Sequence, residues 1–167
     1  MPVTSQSECC EKTPALSPGH SRTLVIEPFE PWHLCWLALQ PEQAPMRRIL
    51  TYDYGVAVQQ AGRCFTAFDG PRVIACAGVV NCWYGRAQVW SLMSEAITQG
   101  YGPLVHRAVK RFLDNFTIRR LELTLDPEVP RMVAWAKRLG FTYESTMPAY
   151  GPHGELQDMY VRIRKAP

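Results

Sequence analysis

The chain has 167 residues, 47% hydrophobic and 20% charged, with a formal net charge of +3. That length suits one domain able to bury about two-thirds of its unfolded surface, and so small a net charge gives no argument for a nucleic-acid partner. Six cysteines show no CxxC pair and no histidine spacing suited to zinc, so no metal site is expected and the thiols read as free, buried groups of a reducing cytosol.

Residues 1–22 are rich in Ser, Thr, Pro and Glu without apolar periodicity, and they read as a flexible tail ahead of one folded domain over 23–167. No run reaches the ~18 apolar residues of a membrane span, and the N-terminus lacks the basic-then-apolar order of a signal peptide, so a soluble, cytoplasmic protein with no membrane partner is expected. Thr23 to Pro28 is a short β-branched run and reads as a first strand. A helix follows from Pro31-Trp32 to Leu39 and ends at Pro41. From Ala44 to Gln60, the positions Met46, Ile49, Leu50, Tyr54 and Ala57 recur every three or four residues, which predicts a second helix with Gly55 as its weak point.

Cys64 to Phe68 and Val73 to Val80 are apolar strands around an Asp69-Gly70-Pro71 turn, a hairpin whose continuous apolarity predicts burial on both faces. Ala87 to Met93 is the next strand. After it, Gly100-Tyr101-Gly102 breaks the apolar run, and Pro103 opens a helix with one apolar stripe of Leu104, Val105, Ala108, Val109, Phe112, Leu113 and Phe116. A strand, a glycine loop and a helix N-terminus together make a potential phosphate site, because bare N–H groups and the macrodipole favour negative charge there. Arg120 to Leu125 alternates as a strand, Val129 to Leu139 is helical with Gly140 as its stop, and Phe141 to Ser145 and Met159 to Ile163 close the chain as strands. Strand, helix, strand in this order predicts a parallel pair with a crossover, hence a mixed α/β (α+β) sheet flanked by helices. The five tryptophans read as core or cleft walls.

The segment Val89 to Gly102, VWSLMSEAITQGYG, followed by Ala134 to Phe141, AWAKRLGF, and Tyr143-Glu144, resembles the GNAT superfamily of N-acetyltransferases over roughly Thr23 to Arg164. Within it, Gln88-Val89-Trp90 and Leu92 are similar to GNAT-like proteins of short-tailed bacteriophages. The resemblance implies acetyl-CoA as acyl donor and an amine as acceptor. In the family a loop of pattern Q/R-x-x-G-x-G/A wraps the donor's pyrophosphate while the preceding strand pairs with pantetheine. Gly100 and Gly102 match that pattern, and Ile97 stands at the Q/R position. Carried over, the resemblance implies strand backbone groups from Leu92 and Met93, N–H donors from Gly100, Tyr101, Gly102 and Leu104, and a side chain near the donor from Asp126. It makes Glu95 the candidate base ahead of Glu122 and Asp126, puts Ala136 at the family's usual tyrosine position four before the glycine of LGF, and leaves Tyr143 as a candidate catalytic residue that, like Tyr150, could face the acceptor cleft. It also implies an alternative, a GNAT-like fold without turnover that serves as an internal virion or host-directed phage protein, and it allows a homodimer.

Overall fold

The computed structural model describes residues 22–151 and 153–164. The expected tail therefore lies almost wholly outside the described residues, as do Cys9, Cys10 and Pro152. The element order is β1 (Val25–Pro28), α1 (His33–Trp36), a 3-10 helix (Pro41–Arg48), α2 (Tyr52–Ala61), β2 (Cys64–Asp69), β3 (Arg72–Trp83), β4 (Arg86–Met93), a 3-10 helix (Glu95–Gln99), α3 (Gly102–Asp114), β5 (Arg120–Leu125), α4 (Pro130–Arg138), β6 (Thr142–Met147) and β7 (Gln157–Ile163). The strands form one seven-stranded mixed sheet in the order β1-β2-β3-β4-β5-β7-β6. The mixed α/β architecture is the one expected, including the parallel join of β4 to β5. None of the helices among the described residues is long and apolar enough to cross a membrane.

The chain clusters into two compact units, one from Met1–Gly78 and Ser91–Val105, the other from Val79–Trp90 and His106–Pro167. In the first unit, β2 and β3 form the predicted antiparallel hairpin, and Thr66 to Asp69 and Val73 to Cys76 are buried throughout. Here the apolar runs lead to the predicted result, because a strand covered on both faces has no solvent side to make polar. His33 is buried against Phe29 and Phe68, and its Nδ1 accepts from the Glu30 N–H at 3.0 Å and lies 2.9 Å from the Thr66 hydroxyl. Burial holds this imidazole below its usual pKa.

The two helices expected before the hairpin differ from their sequence reading. The first ends at Trp36 rather than Leu39, because Leu37 turns extended and Ala38 to Gln40 bond to the end of β4. The second, expected over Ala44 to Gln60, divides into a 3-10 helix and α2, and the break falls at Ile49 to Thr51 rather than at Gly55. Pro45 sits inside the 3-10 segment, and the Thr51 hydroxyl accepts the Tyr54 N–H at 3.1 Å as the N-cap of α2. Gly55 is a packing requirement: an added Cβ would lie 2.8 Å from Pro31 Cα.

In the second unit Val79, Ala87, Leu113, Leu121, Leu125, Ala136, Leu139, Phe141 and Tyr160 form the buried core, with the α3 and α4 stripes packed on it. Gly140 takes the left-handed conformation (φ +88°) that stops α4, as its position after a helical run predicts. Two sequence readings are corrected by exposure. Trp32, Trp36 and Trp83 are exposed large aromatics, which removes the core half of their core-or-cleft-wall reading, and Cys82 is an exposed thiol. Among the described thiols Cys76 is the deeply buried one, its pKa pushed up to about 12 by burial.

Candidate functional site

The glycine loop is built from two anchors. Ser94 is buried, and its hydroxyl accepts the Ala96 N–H at 3.2 Å, which starts the 3-10 turn after β4. Gly100 then takes a left-handed conformation (φ +96°). Tyr101, 1% exposed, drops its side chain inward and donates to Asp69 Oδ2 at 2.5 Å. Burial and this bond to Asp69 raise the phenol's pKa, so the hydroxyl stays protonated and the pin holds near neutral pH. The loop is thereby fixed to the end of β2.

Tyr101 also accepts the first helical bond of α3, from the Val105 N–H at 2.9 Å. The Gly102 and Leu104 N–H groups therefore stand in the first turn, where a helix offers them no acceptor of its own, and Pro103 has none to offer. No acidic residue occupies that first turn. Instead two cations gather at it. Arg22 lies so close over Gly100 that an added Cβ there would sit 3.0 Å from its Cζ, and its guanidinium is 5.9 Å above the Tyr101 ring. Arg72 bonds Gln99 Oε1 at 3.4 Å. Cations at the positive end of a helix repel it, and a bound anion reverses that balance. The arrangement fits a phosphate group.

Leu92 and Met93 end β4, both buried. Backbone groups alternate along a strand, and two bonds fix the phase here: the Arg120 N–H donates to Gly85 C=O at 3.0 Å on the β5 side, while the Ser94 N–H donates to Ile74 C=O at 2.9 Å on the β3 side. Odd positions of β4 thus face the β5 side, and Leu92, an even one, faces β3. Met93 carries the outer edge, and both its groups are engaged: its N–H donates to Gln43 Oε1 at 2.8 Å, and its C=O accepts the Gln40 N–H at 2.9 Å. Gln43 Nε2 donates to Ser91 C=O at 2.8 Å.

Glu95 opens the 3-10 turn with its side chain exposed and its N–H bonded to Ala38 C=O at 2.9 Å. It shares the first unit with Leu92, Met93, Gly100, Tyr101, Gly102 and Leu104. Asp126 and Tyr143 belong to the second unit. The Asp126 carboxylate accepts the Glu128 N–H at 2.8 Å, forming the turn before α4. Tyr143 is exposed on β6, its ring set edge-on to Tyr160 and its hydroxyl 2.8 Å from the Thr146 hydroxyl. Ala136 lies in the core cluster at 2% exposure, so the family's usual tyrosine position here faces packed side chains. Glu122 is a poor proton acceptor: both its oxygens bond Arg86, at 2.7 and 2.5 Å, and Arg120 bonds Oε1 as well. The Arg86 hydrogen bonds, above all, hold it below the usual carboxylate range.

Sequence reasoning missed Arg22, Asp69 and Gln43. Arg22 falls at the edge of a stretch that reads as tail, Asp69 reads as a turn residue, and a single Gln between two prolines has no local signature. Their roles come from partners 32 to 79 residues away along the chain.

The sequence profile of the acetyltransferase (GNAT) family matches residues 24–141. Among curated proteins none matches. Solved structures do. The ribosomal-protein-S5-alanine acetyltransferase from Vibrio fischeri superposes with a TM-score of 0.61 at 14% identity, over 86% of this chain and 94% of that one. A GNAT-family acetyltransferase from Bacillus anthracis gives 0.61 at 12% identity, over 86% and 96%. A point mutant of the spermidine N-acetyltransferase from Vibrio cholerae gives 0.59 at 15% identity, over 84% and 93%. At such identities the likeness is one of fold.

Proposed function

The chain belongs to the acetyltransferase (GNAT) family, and from that premise we propose that it transfers an acetyl group from acetyl-CoA to an amine. The observation that carries this reading is the loop from Gly100 to Leu104, pinned by Tyr101 on Asp69 and overhung by Arg22. When bound, acetyl-CoA supplies the acyl thioester. The Gly102 and Leu104 N–H groups hold its pyrophosphate, with Gly100 and Tyr101 shaping the turn. Arg22 provides the polar side chain that Ile97 does not. Met93, with Leu92 beside it, lines the strand end that would receive the pantetheine arm, and Asp126, in the second unit, is the further side chain the family pattern assigns to the donor. Glu95 accepts the proton of the acceptor amine, and Tyr143 is the hydroxyl that protonates the departing thiolate, since position 136 has none to give.

Titration calorimetry with acetyl-CoA, followed by acetyl transfer to a panel of amines, tests the proposal. Saturable binding is expected, weakened about tenfold in Arg22→Ala, the scale of one charge-assisted hydrogen bond. No heat at millimolar ligand, with no CoA carried by the purified protein, ends this reading.

A second reading keeps the donor site and drops turnover, and the buried Ala136 favours it. Binding of acetyl-CoA without transfer to any amine, together with copurification of a virion or host protein or a second copy of the chain, would mark that outcome. The narrower bacteriophage relationship rests on Gln88-Val89-Trp90 and Leu92 alone.

A further inference from the structure

The outer edge of β4 is covered in relay. At Gly85 it bonds Arg120 of β5, and the parallel register with β5 runs from Arg86 to Gln88. At Met93 and Glu95 it bonds Gln40 and Ala38 as a short antiparallel bridge around Leu39 and Ser94. Between them the Gln43 side chain donates to Ser91 C=O and accepts from Met93 N–H, both at 2.8 Å. Bridging the C=O of one residue and the N–H of the residue two further on is what a residue of a neighbouring parallel strand does with its own N–H and C=O, which come from two successive peptide groups. A glutamine carboxamide has the donor and acceptor to imitate it. Gln43 is 8% exposed, its bond from Met93 N–H is buried and its bond to Ser91 C=O partly so, which makes them costly to lose.

We propose that Gln43 is an intramolecular stand-in for the donor's pantetheine arm, whose successive amides offer an N–H and a C=O: it fills the Ser91–Met93 edge of β4 in the free chain and yields that edge when acetyl-CoA binds. The proposal rests on the donor site described above, in which this strand end receives an amide-bearing arm. Two consequences follow. Donor affinity is set partly by the hydrogen bonds that Gln43 gives up, and the 3-10 segment from Pro41 to Arg48 shifts as the donor enters. Arg47 of the same segment donates to the Leu34 and Leu37 carbonyls, so this shift is passed to α1.

Gln43→Met keeps the length of the side chain and removes both bonds. The experiment compares wild type, Gln43→Met and Gly55→Ala by acetyl-CoA calorimetry, by thermal melting of the free protein and by amide exchange at Met93. Gly55 packs on Pro31 and takes no part in the donor site. The expected result is a lower melting temperature in both variants, faster exchange at Met93 in Gln43→Met alone, and acetyl-CoA binding about tenfold tighter in Gln43→Met alone, since a competitor worth roughly one to two hydrogen bonds is gone. Destabilisation by itself does not tighten binding, and the Gly55 variant shows that. If wild type binds acetyl-CoA and Gln43→Met binds equally or more weakly, Gln43 is a structural clamp only and the inference is overturned while the donor site stands. If neither binds, the donor site itself is wrong and the inference goes with it.

Discussion

At position 122 a carboxylate only 3% exposed lies between two guanidinium groups, and its pKa is held down chiefly by its hydrogen bonds to Arg86. A group whose folded pKa is depressed adds stability above its unfolded pKa, about 4.3 for Glu, and loses it as pH falls through the folded value. Acid therefore weakens this site from about pH 4 downward. Glu122→Gln should cost about 2 kcal/mol at pH 7, below the usual figure for breaking a buried pair because both arginines are partly exposed and solvent screens them. The difference from wild type should shrink toward pH 3, as urea midpoints at the two pH values would show. A mutant gap that stays constant with pH would mean that packing, not charge, is what Glu122 contributes. The alternation of RLELTL makes the strand legible in the sequence, but which carboxylate would be locked between cations was not, because Arg86 reaches it from 36 residues away. The same limit applies to the site: the Gly100 and Gly102 pair is a local pattern and was readable, whereas Asp69 and Arg22 meet the loop only in the folded chain.

At the scale of elements, local period and long-range pairing gave different answers in the stretch from Pro31 to Ala61. The spacing of Met46, Ile49, Leu50, Tyr54 and Ala57 fits a single helix, yet the proline at 45 and the cap at Thr51 split it, and both signals were present in the sequence. The early end of α1 was not readable, since it depends on Met93 and Glu95 recruiting Ala38 to Gln40. Gly55 shows two effects in competition. On helix propensity, Gly55→Ala gains up to about 1 kcal/mol. Its Cβ would however lie 2.8 to 2.9 Å from Pro31 backbone and ring atoms, and overpacking of this kind costs about 1–3 kcal/mol. Packing wins, so a lower urea midpoint is expected. A raised midpoint would show that the Pro31 segment gives way freely.

For the whole molecule, the order of strands and helices was the most legible level. Apolar runs, turn residues and a glycine stop each mark where an element begins or ends, and a crossover between neighbouring strands has one preferred hand. What the order does not specify is which unit a side chain serves, and Asp126 and Tyr143 illustrate the gap. The donor reading carries a prediction at this scale. Acetyl-CoA at a hundredfold excess over its dissociation constant should stabilise the chain by about 2.7 kcal/mol, a rise of about 5–10 °C in melting temperature by calorimetry. Desulfo-CoA, which keeps the phosphates, should give much of that rise, and an unchanged melting temperature with either ligand would count against a donor site at the Gly100 loop.

Among the described residues β1 and β6 stand at the two ends of the sheet, and these outermost strands also bear on how the protein behaves when concentrated. An unpaired edge invites another chain to add a strand, the first step of aggregation. β1 is only four residues long, Val25 to Pro28, with Glu27 among them and a proline that lacks an N–H at the last position. β6 is longer, but its register with β7 slips between Tyr143 and Ser145, and Glu144 is tied to Arg120. One edge is short and the other is kinked and charged, so each is a poor template for a foreign strand.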